Sequence, residues 1–227
     1  MRRDIALTLL AIAAAFAVFA LWPQLDLRVS RMAFQPGFGF PLATAPWSEA
    51  LRKGLWNLST VMVLIAVFGF AATLIARRAV FGLRLRVWGF ILLLYALSTG
   101  ILVNLLLKEH WGRARPNDVT DFGGAMQFTP PYQIAHQCLH NCSFVSGETS
   151  GTMALAISLL LILSQIRDRV PAYRLMQALI LLLPLLAGGQ RILAGRHFLS
   201  DVLLAALFTT LVAQLLWWGL NWPKKQA

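Results

Sequence analysis

Acidic side chains are scarce in this chain. Nine Asp and Glu stand against twenty Lys and Arg across 227 residues, and charged residues of both signs make up only 13%. A soluble domain carries about 25% charged residues, so the shortfall excludes an ordinary water-facing surface and points to lipid as the solvent. Cysteine is nearly absent. Cys138 and Cys142, four apart in one hydrophilic stretch, exclude a disulfide scaffold and leave at most one small closed loop. No internal repeat or low-complexity tract is present. The formal net charge of +11 has no basic stripe with interleaved aromatics, which excludes nucleic acid as the partner. The basic residues fall instead between apolar runs, where they orient a chain in a membrane and meet an anionic substrate.

The chain is rich in apolar residues, 58% of the total, with a mean hydropathy of +0.67. Crossing a bilayer takes roughly 20 mostly apolar residues. Six stretches come close: Ile5–Leu21, Trp56–Ala76, Val87–Leu107, Thr149–Ile166, Leu175–Gly189 and Val202–Leu220. The first follows Met1-Arg2-Arg3 in the manner of a signal peptide. Asp4 interrupts that basic region and no small-x-small site precedes Trp22, so a retained helix is the better reading. The fifth contains Pro184, which neighbouring helices can accommodate. The expected fold is all-α: one domain over residues 1–227, an integral membrane bundle of six transmembrane helices.

Orientation follows from the loops. Arg2, Arg3, Arg77, Arg78, Arg84, Arg86, Arg167, Arg169, Arg174, Lys224 and Lys225 fall on one side, which the positive-inside rule makes cytoplasmic. The other side holds Arg28, Arg31, Arg52, Lys53, Lys108, Arg113, Arg115, Arg191 and Arg196. The bias is firm once the cations assigned to chemistry below are set aside. The longest outward loop, about 108–148, is of a length that usually carries function. Trp22–Leu55 is also outward, and Pro46 opens an expected interfacial helix with Trp47 and Leu51 on one face.

Three outward clusters carry chemistry. Lys108 and Arg115, seven residues apart and followed by Pro116, can share a helix face at the end of the third stretch. Snorkelling to headgroups explains one terminal cation more easily than three before a proline. Ser146-Gly147-Glu148 opens the fourth helix: Ser146 is a good N-cap, and Gly147 lets backbone amides approach an anion. Taken in isolation, a plain capped helix with Glu148 near the positive dipole end is the better reading of that cluster. Arg191 precedes His197 and Asp201 from the loop. His197 and Asp201 are four apart, so the carboxylate can orient the imidazole and leave its other nitrogen free as a nucleophile. Three cations, a helix N-terminus and an oriented histidine are the parts that phosphoryl transfer asks for.

These residues make the chain resemble the type 2 phosphatidic acid phosphatase superfamily. Its pattern is Lys, six residues, Arg-Pro; then Pro-Ser-Gly-His; then Ser-Arg, five residues, His, three residues, Asp. Lys108, Arg115 and Pro116, then Ser146 and Gly147, then Arg191, His197 and Asp201 match in order and spacing. The resemblance implies a lipid phosphatase in which His197 attacks phosphorus and Asp201 orients it. Lys108, Arg115 and Arg191 would hold the phosphate oxygens with no metal and no cofactor. It implies a bacterial cytoplasmic-membrane enzyme with an outward-facing active site, acting on a phosphorylated lipid. Candidate substrates are lipid A, undecaprenyl diphosphate and phosphatidylglycerophosphate, and the stretch Asn141–Glu148 looks closest to the lipid A branch. Val145 replaces the family's proline, Gln190 its serine and Glu148 its second-motif histidine, the general acid. Glu148 is expected to take over that acid role, with His136 or His140 as alternatives. His136, Cys138, His140 and Cys142 can be read as a zinc cluster or as a small disulfide loop, and thiols outside the membrane favour the disulfide.

Overall fold

The computed structural model describes residues 2–167 and 170–220; Arg169, Lys224 and Lys225, used above for orientation, lie outside the described residues. The described chain is helical: α1 (Arg2–Leu21), α2 (Gln24–Arg31), α3 (Pro46–Ala76), α4 (Leu85–His110), α5 (Gly147–Gln165), α6 (Tyr173–Leu193) and α7 (Leu199–Gly219). All except α2 are long and apolar enough to cross a membrane, and they coincide with the six apolar stretches to within a few residues at most ends. The exception is α3, which starts ten residues before its apolar run. Pro46 sits at its first turn, where a missing amide costs nothing, and the Arg52 guanidinium donates to both Glu49 oxygens at 2.7 and 2.6 Å. The expected interfacial helix at Pro46 is therefore the opening of α3. The short helix of this region is α2, which buries Asp26, Leu27 and Ser30.

Small residues let α5 sit at the centre of the bundle. Ser150, Gly151, Thr152, Ala154, Ala156 and Ser158 are all buried along it, so neighbouring backbones approach closely. Its hydroxyls bond across helices: Thr99 of α4 to Ser150 at 2.9 Å, and Ser150 to Thr209 of α7 at 2.9 Å. On the α4 side the core comprises Met62, Ala66, Trp88, Ile91, Leu94 and Leu155. A second core of Leu27, Phe40, Val119, Phe122 and Phe198 caps one end of the bundle, with Phe34, Phe40 and Phe122 ring centroids 5.2–5.5 Å apart.

The loop after α4 folds against that end. Short turns at Pro116–Asp118 and Thr120–Phe122 interrupt it, and Cys138 and Cys142 are joined by a disulfide. That bond consumes both thiols and removes the zinc reading of this segment. Gly112 allows the loop to fold back: at φ +63° its position has no room for a Cβ, which would collide with the Ala135 carbonyl.

Candidate active site

The antiparallel run of helices brings four helix termini and one loop to the capped end. Lys108 comes from the last turn of α4, Glu148 from the first turn of α5, Arg191 from the last turn of α6, and His197 from just before α7. Each sits at a terminus because the apolar run stops there, leaving room for polar groups beside unpaired helix amides and carbonyls.

His197 is 1% exposed, and its Nδ1 lies 2.8 Å from the Ser143 carbonyl. A carbonyl can only accept, so Nδ1 carries the proton and Nε2 presents a lone pair. Burial holds the imidazole below the usual histidine range, outweighing the nearby carboxylates. At neutral pH the His197 imidazole is thus uncharged. Its Nε2 faces Glu148 Oε2 at 3.8 Å, beyond hydrogen-bond reach.

Asp201 does not brace the ring as expected, since its Oδ2 lies 3.9 Å from His197 Nδ1. A spacing of four brings side chains together only when both residues are helical, and His197 precedes the helix. Asp201 instead caps α7 by accepting from the Phe198 amide at 2.9 Å, and also accepts from Ser143 Oγ at 2.6 Å and Arg113 Nη1 at 2.6 Å. It therefore anchors the side chain of Ser143, the residue whose carbonyl holds the ring. Arg113, wholly buried, also donates to Asp26 at 2.8 Å, Ser200 at 2.8 Å and the Thr129 carbonyl at 2.8 Å, and lies over the Phe198 ring. Asp26 in turn accepts from the Ser200 amide and hydroxyl at 2.9 and 2.6 Å.

The cations converge by different means. Arg191 lies in the last turn of α6 rather than in the following loop, and its Nη1 is 3.4 Å from Glu148 Oε1. Lys108 and Arg115 do not share a helix face, because α4 ends at His110. They meet at Asn141 instead: Lys108 Nζ donates to its Oδ1 at 2.9 Å and Arg115 Nη2 to its carbonyl at 2.6 Å. Ser146 is the N-cap of α5, accepting from the Thr149 amide at 3.3 Å. Gly147 packs so tightly that a Cβ there would lie 3.1 Å from Asn104 Oδ1 and 3.4 Å from Lys108 Cε. The first-turn amides of Gly147 and Glu148 have no acceptor within the helix and can serve an anion.

Asn141, Ser143, Arg113, Asp26 and Arg52 join the site without having been expected there. Arg52 Nη1 stands 3.8 Å from Glu148 Oε1. Arg113 had a visible signal, sitting between the paired cations. The other four meet their partners across long sequence separations, through side chains and main-chain carbonyls alike, and leave no spacing to read. His136 and His140 are both exposed, and His140 is bound to Glu109 at 3.0 Å. Among the described residues no group of three His, Cys, Asp or Glu side chains is arranged to hold a metal.

A model of the PAP2 superfamily matches residues 88–225, the part of the chain that contains Lys108, Arg115, Glu148, Arg191 and His197. The chain belongs to the PAP2 superfamily. Lipid A 4′-phosphatase from Rhizobium leguminosarum is 32% identical over 213 residues, covering 88% of each chain. Lipid A 4′-phosphatase from Francisella tularensis subsp. novicida is 28% identical, over 86% of this chain and 85% of its own. The fold matches the crystal structure of a transmembrane PAP2-type phosphatidylglycerolphosphate phosphatase from Bacillus subtilis with a TM-score of 0.64, at 18% identity and over 98% of both chains. This PAP2 protein is a multi-pass membrane phosphatase.

Proposed function

We propose that the chain removes a phosphate monoester from lipid A through a phosphohistidine on His197. The observation that carries the chemistry is the locked tautomer: the Ser143 carbonyl holds the Nδ1 proton 2.8 Å away, leaving the Nε2 lone pair free on the side of Glu148, whose carboxylate meets Arg191. Nε2 attacks phosphorus, the bond to the sugar oxygen breaks, and that oxygen leaves with a proton. The three cations and the amides of Gly147 and Glu148 stabilise the charge spreading over the phosphoryl oxygens. Ser146 holds those amides in place by capping α5.

Glu148 supplies the proton in this reading. Its carboxylate now rests against Arg191 at 3.4 Å and Arg52 at 3.8 Å. An arriving phosphate takes up those guanidiniums, which frees the carboxyl to bind a proton in a site crowded with negative charge. Once the sugar departs, the ionised carboxylate accepts a proton from water as the water attacks phosphorus, releasing inorganic phosphate and free His197. Asp201 contributes by anchoring the Ser143 side chain.

Likeness along most of the chain to several lipid A 4′-phosphatases supports lipid A as the substrate class and the 4′ phosphate as the group removed. The positive-inside rule supports the site end facing the periplasm from the inner membrane, because Arg77, Arg78, Arg84, Arg167 and Arg174 lie toward the opposite end of the helices.

Phosphate release from a panel of lipids in detergent tests the proposal: bisphosphorylated lipid A, undecaprenyl diphosphate and phosphatidylglycerophosphate, each with chelator present. Lipid A is expected to lose one phosphate and yield inorganic phosphate. Preference for either other lipid contradicts the substrate, and label passed to a second lipid without free phosphate contradicts hydrolysis.

A further inference from the structure

Lys108 and Arg115 are separated by the end of α4 and a stretch of irregular chain, so nothing in their own segment aims them at one point. They converge on a single residue. Asn141 accepts from Lys108 through its side-chain oxygen and from Arg115 through its main-chain carbonyl, at 2.9 and 2.6 Å. One residue can present both oxygens in that direction because its backbone is left-handed, at φ +50°, a conformation asparagine tolerates better than most residues. Asn141 lies inside the five-residue ring closed by the Cys138–Cys142 disulfide.

That ring is fastened to the chain carrying the cations. The Asn141 amide donates to Glu109, the Cys142 amide to the Lys108 carbonyl at 3.1 Å and the Ser143 amide to the Arg113 carbonyl at 2.9 Å. The next link is the Ser143 carbonyl, which fixes His197. One short covalently closed segment therefore sets the direction of two cations and, two residues on, the tautomer of the nucleophile.

We propose that Asn141 is the positioning residue for the phosphate-binding pair Lys108 and Arg115, and that the Cys138–Cys142 ring holds it there, making phosphate affinity depend on the disulfide. The proposal rests on the reading that these cations bind phosphate. Unfolding the ring leaves the cations in the chain but removes their common aim. Asn141 touches them rather than the reacting atoms, so its loss weakens anion binding more than it slows the chemical step.

The test measures binding and turnover separately on full-length protein in detergent. Inorganic orthophosphate binding is followed by calorimetry, and KM and kcat are measured on bisphosphorylated lipid A. Asn141→Gly keeps the left-handed backbone and its carbonyl but removes the Lys108 contact. It is expected to weaken orthophosphate binding and raise KM by about tenfold, the scale of one lost hydrogen bond to a charged group, with a smaller change in kcat and unchanged thermal unfolding. Asn141→Ala, which also disfavours the left-handed backbone, is expected to weaken both further. The Cys138→Ser/Cys142→Ser double variant, and wild-type protein treated with reductant, are expected to show the same selective loss. Wild-type orthophosphate affinity in Asn141→Gly, or in the reduced protein, overturns the proposal. If wild-type protein binds orthophosphate but cleaves no lipid, the lipid phosphatase reading has failed, and the binding arm still decides the role of Asn141.

Discussion

At the scale of single residues, the proposed chemistry depends on where two protons sit. The Ser143 carbonyl fixes one on His197 Nδ1, and burial keeps the second off Nε2. His197→Ala should abolish phosphate release while the protein still inserts and elutes as the wild type does; residual turnover near wild type would remove the nucleophile from the account. The pH profile carries the same information. Protonating Nε2 stops attack, and burial lowers the folded pKa, so activity persists below the usual histidine pKa of about 6.5. The acid limb of kcat/KM should therefore fall below that value, and a midpoint displaced upward is the contrary result. Glu148→Gln keeps the shape and removes the proton; kcat should drop by about 10²–10⁴-fold, the usual worth of a general acid or base. A wild-type rate would return the acid role to another group.

At the scale of elements, the site depends on how helix ends and loops are tied together. Arg113 and Asp26 connect the segment after α4 to α2 and to the start of α7, all inside a wholly buried cluster. Removing one partner leaves a buried charge unpaired, so Arg113→Ala should cost about 3–5 kcal/mol in chemical unfolding and lower activity through a displaced Ser143. Gly112→Ala drives a Cβ into the Ala135 carbonyl and strains a left-handed position; thermal unfolding in detergent should show a loss of about 1–3 kcal/mol. Little of this was legible beforehand. The His197–Asp201 spacing suggested a direct contact, but spacing speaks only for residues within one helix, and His197 stands outside α7. The same limit undid the shared face of Lys108 and Arg115, since α4 ends between them. Ser146 was readable because a helix N-cap is a local signal, carried by one side chain and the amides just after it. Asn141 and Ser143 were not, because they act partly through main-chain carbonyls and their side chains reach Lys108 and Asp201 across long sequence separations, at no local spacing.

At the scale of the whole molecule, composition was a sound guide. A helix that crosses lipid must be a long apolar run satisfying its own backbone, so hydropathy located six of them, and the three motifs fell at one end. The opening turns of α3 were read as a separate interfacial helix because they are polar and project beyond the apolar run; they bring Arg52 beside Glu148. That placement, and the likeness over 88% of the chain to a lipid A 4′-phosphatase, point to the most direct measurement. Lipid A labelled with ³²P at the 4′ position is mixed with the enzyme, quenched within milliseconds under alkaline conditions, and the labelled peptide is sequenced. The expected result is an acid-labile, alkali-stable phosphate on the peptide containing His197, decaying as inorganic phosphate appears. Label on any other residue, or phosphate release at full rate with no covalent label at any time point, would contradict it.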